Sequence, residues 1–307
     1  IRINGGTAMM RILGIVGVQI CICVPIIVFQ FCKGKEFFSK EYWGYALRIG
    51  IPIVPHYLSG IILNQGDRIM IDKMVGKTEV ALYGLAYSIG MLVQLFISGM
   101  NSALTPWMYS KIKKGDIRSM RKVLQLLSIV VVGIAVALML ISPELVLIFG
   151  SPKYREAVYV IPPVAASVFF IFIYNILSMP QFYYEKTQFL MAASMAAAGA
   201  NVVLNFIFIR LFGYIAAGYT TLACYMLYSV GHYIVSKRIL VNEGIQENLM
   251  SPGFLVACSA FLIGASIICN LIFPYRILRY AILLASAGLV FWKKELLLKT
   301  MADIRKK

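Results

Sequence analysis

The sequence predicts an all-α integral membrane protein, a polytopic helical bundle of about nine transmembrane helices. Three observations predict it. Sixty per cent of the 307 residues are apolar and only 14% are charged, and the mean hydropathy is +0.81, far from the balance of a water-soluble domain. A hydrocarbon layer about 30 Å thick needs roughly 20 helical residues at about 1.5 Å each, and charge-free runs of that length recur along the chain. These runs are continuously apolar, without the short two-faced alternation of a β-barrel.

Taken in order, Ile12 to Cys32 is the first span and carries no charge. The second, Ile49 to Gly66, contains only His56, and its helix extends both ways to include Arg48, Asp67, Arg68 and Asp72. Val80 to Ser110, Val123 to Pro143, Ala157 to Tyr184, Thr187 to Ile209, Leu211 to Ser236 and Asn248 to Tyr275 follow, all uncharged. The ninth, Ile277 to Trp292, is short and carries Arg279. The chain opens on Ile1 without the pattern of a signal peptide, so a partial sequence is expected. Cys21, Cys23, Cys32, Cys224, Cys258 and Cys269 lie in or beside apolar runs and read as packing residues, not metal ligands or disulfides.

A net charge of +16 raises the question of nucleic acid, but the basic residues sort by loop instead. Lys33, Lys35 and Lys40, the cluster from Lys111 to Lys122, Lys186, Lys237, Arg238 and the tail from Lys293 to Lys307 place eighteen on one side. The other side has nine, and Arg48 and Arg68 remain within the second span. The richer side is expected to be cytoplasmic, with the C-terminus inside and Ile1 outside. Loops on the poorer side are short, the longest running from about Glu144 to Glu156. The chain shows no Gly-rich phosphate cradle, HExxH motif, nucleophile elbow or paired carboxylates, so no catalytic residue, metal or cofactor is predicted.

The second span carries the polar residues that need explaining. A charge at the centre of a transmembrane helix costs roughly 2.5 to 3.5 kcal/mol on insertion scales, so it faces protein or water. Steps of four from Arg48 pass through Pro52, His56, Gly60, Asn64, Arg68 and Asp72, a polar and small stripe that spirals about 40° per step. Pro52 and Pro55 each remove a backbone donor and should kink the helix, making it a candidate hinge that lines a cavity. The competing reading has Arg48 snorkelling to headgroups and Asp67, Arg68 and Asp72 forming solvated ion pairs at the outer interface. His56 is either a hydrogen-bonded packing residue or a functional group.

Asn101, Asn175, Asn201 and Asn205 read as amides that knit helices together, and the small residues from Ala192 to Ala200 as a close-packing stripe that places the fifth or sixth span inside the bundle. Tyr42, Trp43, Trp107, Tyr109, Tyr183, Tyr184 and Trp292 fall near span ends and read as an aromatic belt.

Three segments carry a resemblance. Asp67 to Gly90, DRIMIDKMVGKTEVALYGLAYSIG, has an Asp-Arg, a Gly and a Tyr-x-x-Ala in series. Ile148 to Pro163, IFGSPKYREAVYVIPP, joins two spans, and Asn201 to Tyr225, NVVLNFIFIRLFGYIAAGYTTLACY, pairs asparagines with a Gly-Ala-Ala-Thr-like turn. In this order they resemble the polysaccharide flippase branch of the multidrug, oligosaccharidyl-lipid and polysaccharide exporter superfamily. The resemblance implies a two-lobe exporter fold: residues 1–42 as the last helix of a first lobe and its connector, 43–236 as the second six-helix lobe, and 237–307 as a loop, two further helices and a basic tail.

It also implies flipping of undecaprenyl-pyrophosphate-linked oligosaccharide across the bacterial cytoplasmic membrane by alternating access, without enzymatic chemistry. Arg48, Arg68 and His56 would meet the pyrophosphate, Tyr57, Asn64, Tyr83 and Tyr87 the glycan, and the last two spans the prenyl tail. Asp67 and Asp72 would form charge pairs or couple an ion. The implied partners are the lipid-linked oligosaccharide, membrane lipids and a polysaccharide polymerase, with no nucleic acid. Alternatives are a cation-coupled multidrug exporter, a lipid II-type flippase and a membrane-embedded enzyme. A drug exporter calls for a buried carboxylate, whereas Asp67 and Asp72 read as lying near an outer end.

Overall fold

The computed structural model describes residues 8–35 and 38–292. All regular structure among the described residues is helical, and the chain divides into two compact units, Ile1–Gly50 and Ile51–Lys307. The basic tail from Lys293 and the side chain of Trp292 lie outside the described part.

The first unit holds α1 (Ala8–Gly34) and the start of α2 (Lys40–Met74). Leu13, Val18, Ile22 and Phe29 are exposed on different sides of α1, so it is apolar all round, as a helix solvated by lipid must be. Tyr42 and Trp43, at the start of α2, are also exposed.

The second unit contains the rest of α2, then α3 (Lys77–Gly90), α4 (Leu92–Lys113), α5 (Ile117–Phe149), a 3-10 segment (Pro152–Val160), α6 (Ile161–Tyr183), α7 (Thr187–Phe212), α8 (Ala216–Asn242), α9 (Pro252–Ile272) and α10 (Arg276–Trp292). The expected third span is two helices, α3 and α4, bent by 40° at Met91. Gly90 makes the close approach here: a Cβ on it would sit 2.7 Å from Val164 Cγ1 of α6. α5 begins at Asp116, whose carboxylate accepts from Ser119 N at 3.3 Å and lies 2.6 Å from Lys111 Nζ, an N-cap reinforced by a cation. The Lys111 ammonium holds the Asp116 carboxyl below the usual carboxylate range. Gly213 (φ 74°) and Gly244 (φ 80°) end α7 and α8 in the left-handed conformation that favours glycine.

α6 is the centre of the unit. Ala165, Phe169, Phe172 and Ile176 are fully buried, and α3, α4, α5, α7, α8 and α9 all pack on it. It is the fifth expected span, and it lies inside the bundle as the sequence suggests. The small-residue stripe lies on the neighbouring α7, where Ala197 and Ala198 are buried. α10 is fixed to α5 by charge: Arg279 donates to both Glu144 carboxylate oxygens at 2.8 Å and to Leu140 O at 2.6 Å. That pairing gives the buried guanidinium a counter-charge in an apolar setting.

Six helices among the described residues are long and apolar enough to cross a membrane, and the bent α3–α4 pair makes a seventh. Two of the nine expected spans fall outside this measure. α10 has only 17 residues. α8 is long enough at 27 residues, but Thr220, Thr221, Ser229, His232 and Ser236 interrupt its apolar sequence, and all five are buried.

Candidate functional site

The deepest polar group of α2 is Asp67, which is completely buried. Its Oδ2 accepts from the Tyr83 hydroxyl of α3 at 2.5 Å and from Thr221 Oγ1 of α8 at 2.7 Å. Its Oδ1 accepts from Asn205 Nδ2 of α7 at 2.6 Å. Asn205 is itself fixed, donating to Asn201 Oδ1 at 3.2 Å and accepting from Thr220 Oγ1. One carboxylate therefore joins four helices. No cation completes it: the ion pairs among the described residues are Lys111–Asp116, Arg118–Glu247 and Arg279–Glu144.

Below it along α2, Asn64 Oδ1 accepts from Tyr87 at 2.7 Å and from Tyr225 at 3.2 Å, while its amide donates to Gly60 O at 2.7 Å. Farther on, His56 Nδ1 lies 3.0 Å from the Tyr228 hydroxyl. Tyr228 packs edge-on to His232, 4.5 Å between centroids, and lies 4.4 Å from the Tyr174 ring. Gln181 Nε2 reaches His232 Nδ1 at 2.8 Å. The contacts form a polar seam: His56, Asn64 and Asp67 ascend α2 as Tyr228, Tyr225 and Thr221 descend the sequence of α8.

The seam corrects several sequence expectations. Asp67 is not in a solvated ion pair; it is buried among neutral donors. Asp72 is exposed and in no ion pair, so the expected charge pairing of Asp67 and Asp72 is absent among the described residues. The buried face of α2 runs through Ser59, Leu63, Asp67 and Ile71, one position around from the stripe through Gly60, Asn64, Arg68 and Asp72. Tyr83 and Tyr87 are buried, with hydroxyls committed to α2, so in this conformation neither is presented to a glycan. Tyr57 is 65% exposed, with its ring 5.5 Å from that of His56. Arg68 lies at the rim, 5.3 Å over the Tyr87 ring and bonded to Gln65 at 3.0 Å. Arg48 is exposed on the first unit. α2 is one uninterrupted helix through Pro52 and Pro55, and Ser59 Oγ donates to Pro55 O at 2.7 Å.

Sequence reasoning did not single out Thr221, Tyr228, His232, Tyr174 or Gln181. A signal was present: Thr221, Tyr225, Tyr228 and His232 follow one another by four, three and four residues, the spacing of a single helix face.

Chemically, the Asp67 centre is a set of hard oxygens. The carboxylate, Asn201 Oδ1, Thr220 and Thr221 suit a proton or a small cation better than a soft metal. A proton on Asp67 takes up one acceptor site, so either the Tyr83 or Thr221 hydroxyl turns to accept from it or one of the three bonds is lost. Neutralising Asp67 therefore weakens the charge-assisted bonds that join α2 to α3, α7 and α8.

The seam and the helical span pattern are those of a polytopic membrane protein with polar machinery inside its bundle. Residues 6–113 match a family described as polysaccharide biosynthesis protein, and this segment includes Asp67 to Gly90, one of the three that carried the resemblance. The chain is 28% identical over 172 residues to a Haemophilus influenzae protein named Lsg locus putative protein 1, covering 52% of this chain and 41% of that protein. It is 29% identical over 167 residues to another protein of that organism, named an uncharacterized membrane protein, covering 51% and 40%. The alignments thus span about two fifths of the length of these relatives. No solved structure matches the chain significantly. The resemblance to polysaccharide-related membrane proteins therefore stands.

Proposed function

We propose that the chain belongs to a flippase that moves undecaprenyl-pyrophosphate-linked oligosaccharide across the bacterial cytoplasmic membrane, with the Asp67 centre as its coupling element. The observation that carries this reading is the single buried carboxylate joining α2 to α3, α7 and α8 through neutral donors. A transporter needs an element with two arrangements whose balance a ligand shifts. Protonation or cation binding at Asp67 weakens the bonds that hold α2, and Pro52 and Pro55 let the loosened helix bend. The orientation follows the basic loops, with the C-terminus cytoplasmic.

Arg68 and His56 are the groups of α2 that would meet the pyrophosphate once the seam opens, and the prenyl chain would stay in hydrocarbon beside α9 and α10. A polysaccharide polymerase would take the product at the outer leaflet.

The buried Asp67 also suits a cation-coupled drug exporter, so the position of the acids no longer separates the two readings. The polysaccharide-related match favours the first. The test uses the protein at its native length in proteoliposomes, following whether labelled undecaprenyl-pyrophosphate oligosaccharide becomes accessible to an added hydrolase. Movement that is lost in Asp67→Asn supports the flippase. Transport of a cationic dye without movement of the oligosaccharide supports the exporter.

A further inference from the structure

α8 and α9 both pack on α6 but hardly touch each other, which leaves a crevice of about 430 Å³ between them. Phe170 and Ile173 of α6 form its floor, with Met226 and Val230 of α8 and Leu255 and Ile263 of α9 as walls. The crevice is apolar and ends at Tyr233, which also lines a second recess, of about 420 Å³, with Ile234, Lys237 and Arg238.

The two recesses therefore make one track along α8. Met226, Val230, Tyr233 and Lys237 follow at four, three and four residues, a single helix face. From Met226 to Lys237 the track rises about 17 Å, close to one leaflet of a hydrocarbon layer about 30 Å thick. With the basic loops at the headgroups, its apolar end would lie toward the membrane centre. Lys237 and Arg238 are exposed, with no carboxylate within 4.0 Å among the described residues. The Tyr233 hydroxyl is buried at the junction and has no hydrogen-bond partner among the described residues, an unmet donor where apolar lining gives way to charge.

We propose that this track binds one anionic phospholipid of the leaflet on the side of the basic loops. An acyl chain fills the crevice, the Tyr233 hydroxyl donates to an ester carbonyl, and Lys237 and Arg238 hold the phosphate. Charge complementarity selects the headgroup, and the length of one leaflet selects a phospholipid over a C55 prenyl chain. The site is independent of the flippase reading and of the Asp67 seam.

Native mass spectrometry of the detergent-purified protein tests it, with phosphatidylglycerol, phosphatidylcholine, undecaprenyl phosphate and inorganic phosphate as probes. One phosphatidylglycerol is retained in preference to phosphatidylcholine. Lys237→Gln with Arg238→Gln weakens retention about thirtyfold, the combined effect of two basic groups at an anionic headgroup. Ala260→Trp, on the exposed wall of the crevice, also abolishes retention while leaving the basic pair intact. All three residues are exposed, so the variants keep the wild-type fold, checked by elution and circular dichroism. Retention unchanged in both variants, or displacement of the lipid by undecaprenyl phosphate or by inorganic phosphate, overturns the proposal.

Discussion

α6 and α2 both run through the second unit, yet they are held there by different forces. α6 is buried on nearly every side, with Phe169, Phe172 and Ile176 fully enclosed and six helices packed on it. α2 buries one face, Ser59, Leu63, Asp67 and Ile71, and its hydrogen bonds to other helices come from His56, Asn64 and Asp67. Apolar packing inside a bilayer does not depend on protonation, whereas a carboxylate with three donors does. The bundle thus combines a fixed axis, α6, with a helix whose attachment is chemically switchable.

Predictions that break or sharpen this contrast run from large to small. Phe172→Ala in α6 should cost about 3 to 5 kcal/mol of stability through the cavity it leaves, read by unfolding of the detergent-solubilised protein. Asp67→Asn should destabilise by only about 1 to 3 kcal/mol, the cost of disturbing one buried polar centre, yet abolish transport in proteoliposomes. Thr221→Val removes one donor and should cost about 1 kcal/mol, with partial loss of transport. Tyr57→Ala, at an exposed position, should change stability by less than about 0.5 kcal/mol.

The smallest expected effect is a pH dependence at the edge of the bundle. The Asp116 carboxyl, held low by Lys111 in the folded protein, contributes stability that is fully present above its ordinary value of 3.8. That contribution is lost as pH falls through the lowered folded value. A denaturation series from pH 6 to about pH 3 in wild type and Asp116→Asn should converge at the acid end, and parallel curves would contradict the assignment.

Much of the fold was legible because apolar runs report helices directly. Ile12 to Cys32 became Ala8–Gly34, and Thr187 to Ile209 became Thr187–Phe212. The break at Met91 was not legible: Val80 to Ser110 is uncharged throughout, and the bend coincides with the approach of Gly90 to Val164 of α6. In the site, the polar stripe picked out α2 but not which of its residues are buried. Charge alone made Asp67 look solvated, and the residues that bond it, Asn205 and Thr221, lie 138 and 154 positions away. The polar face of α8 was readable from spacing, but its partner was not, because nothing local says which helix that face meets.

Hydrogen–deuterium exchange across wild type and Asp67→Asn tests the switchable attachment most directly. The neutral side chain should raise exchange in α2 between Ser59 and Asp72 while leaving α6 protected, since only the helix latched by the carboxylate is released. Unchanged protection of α2, or equal deprotection of α2 and α6, would contradict the account.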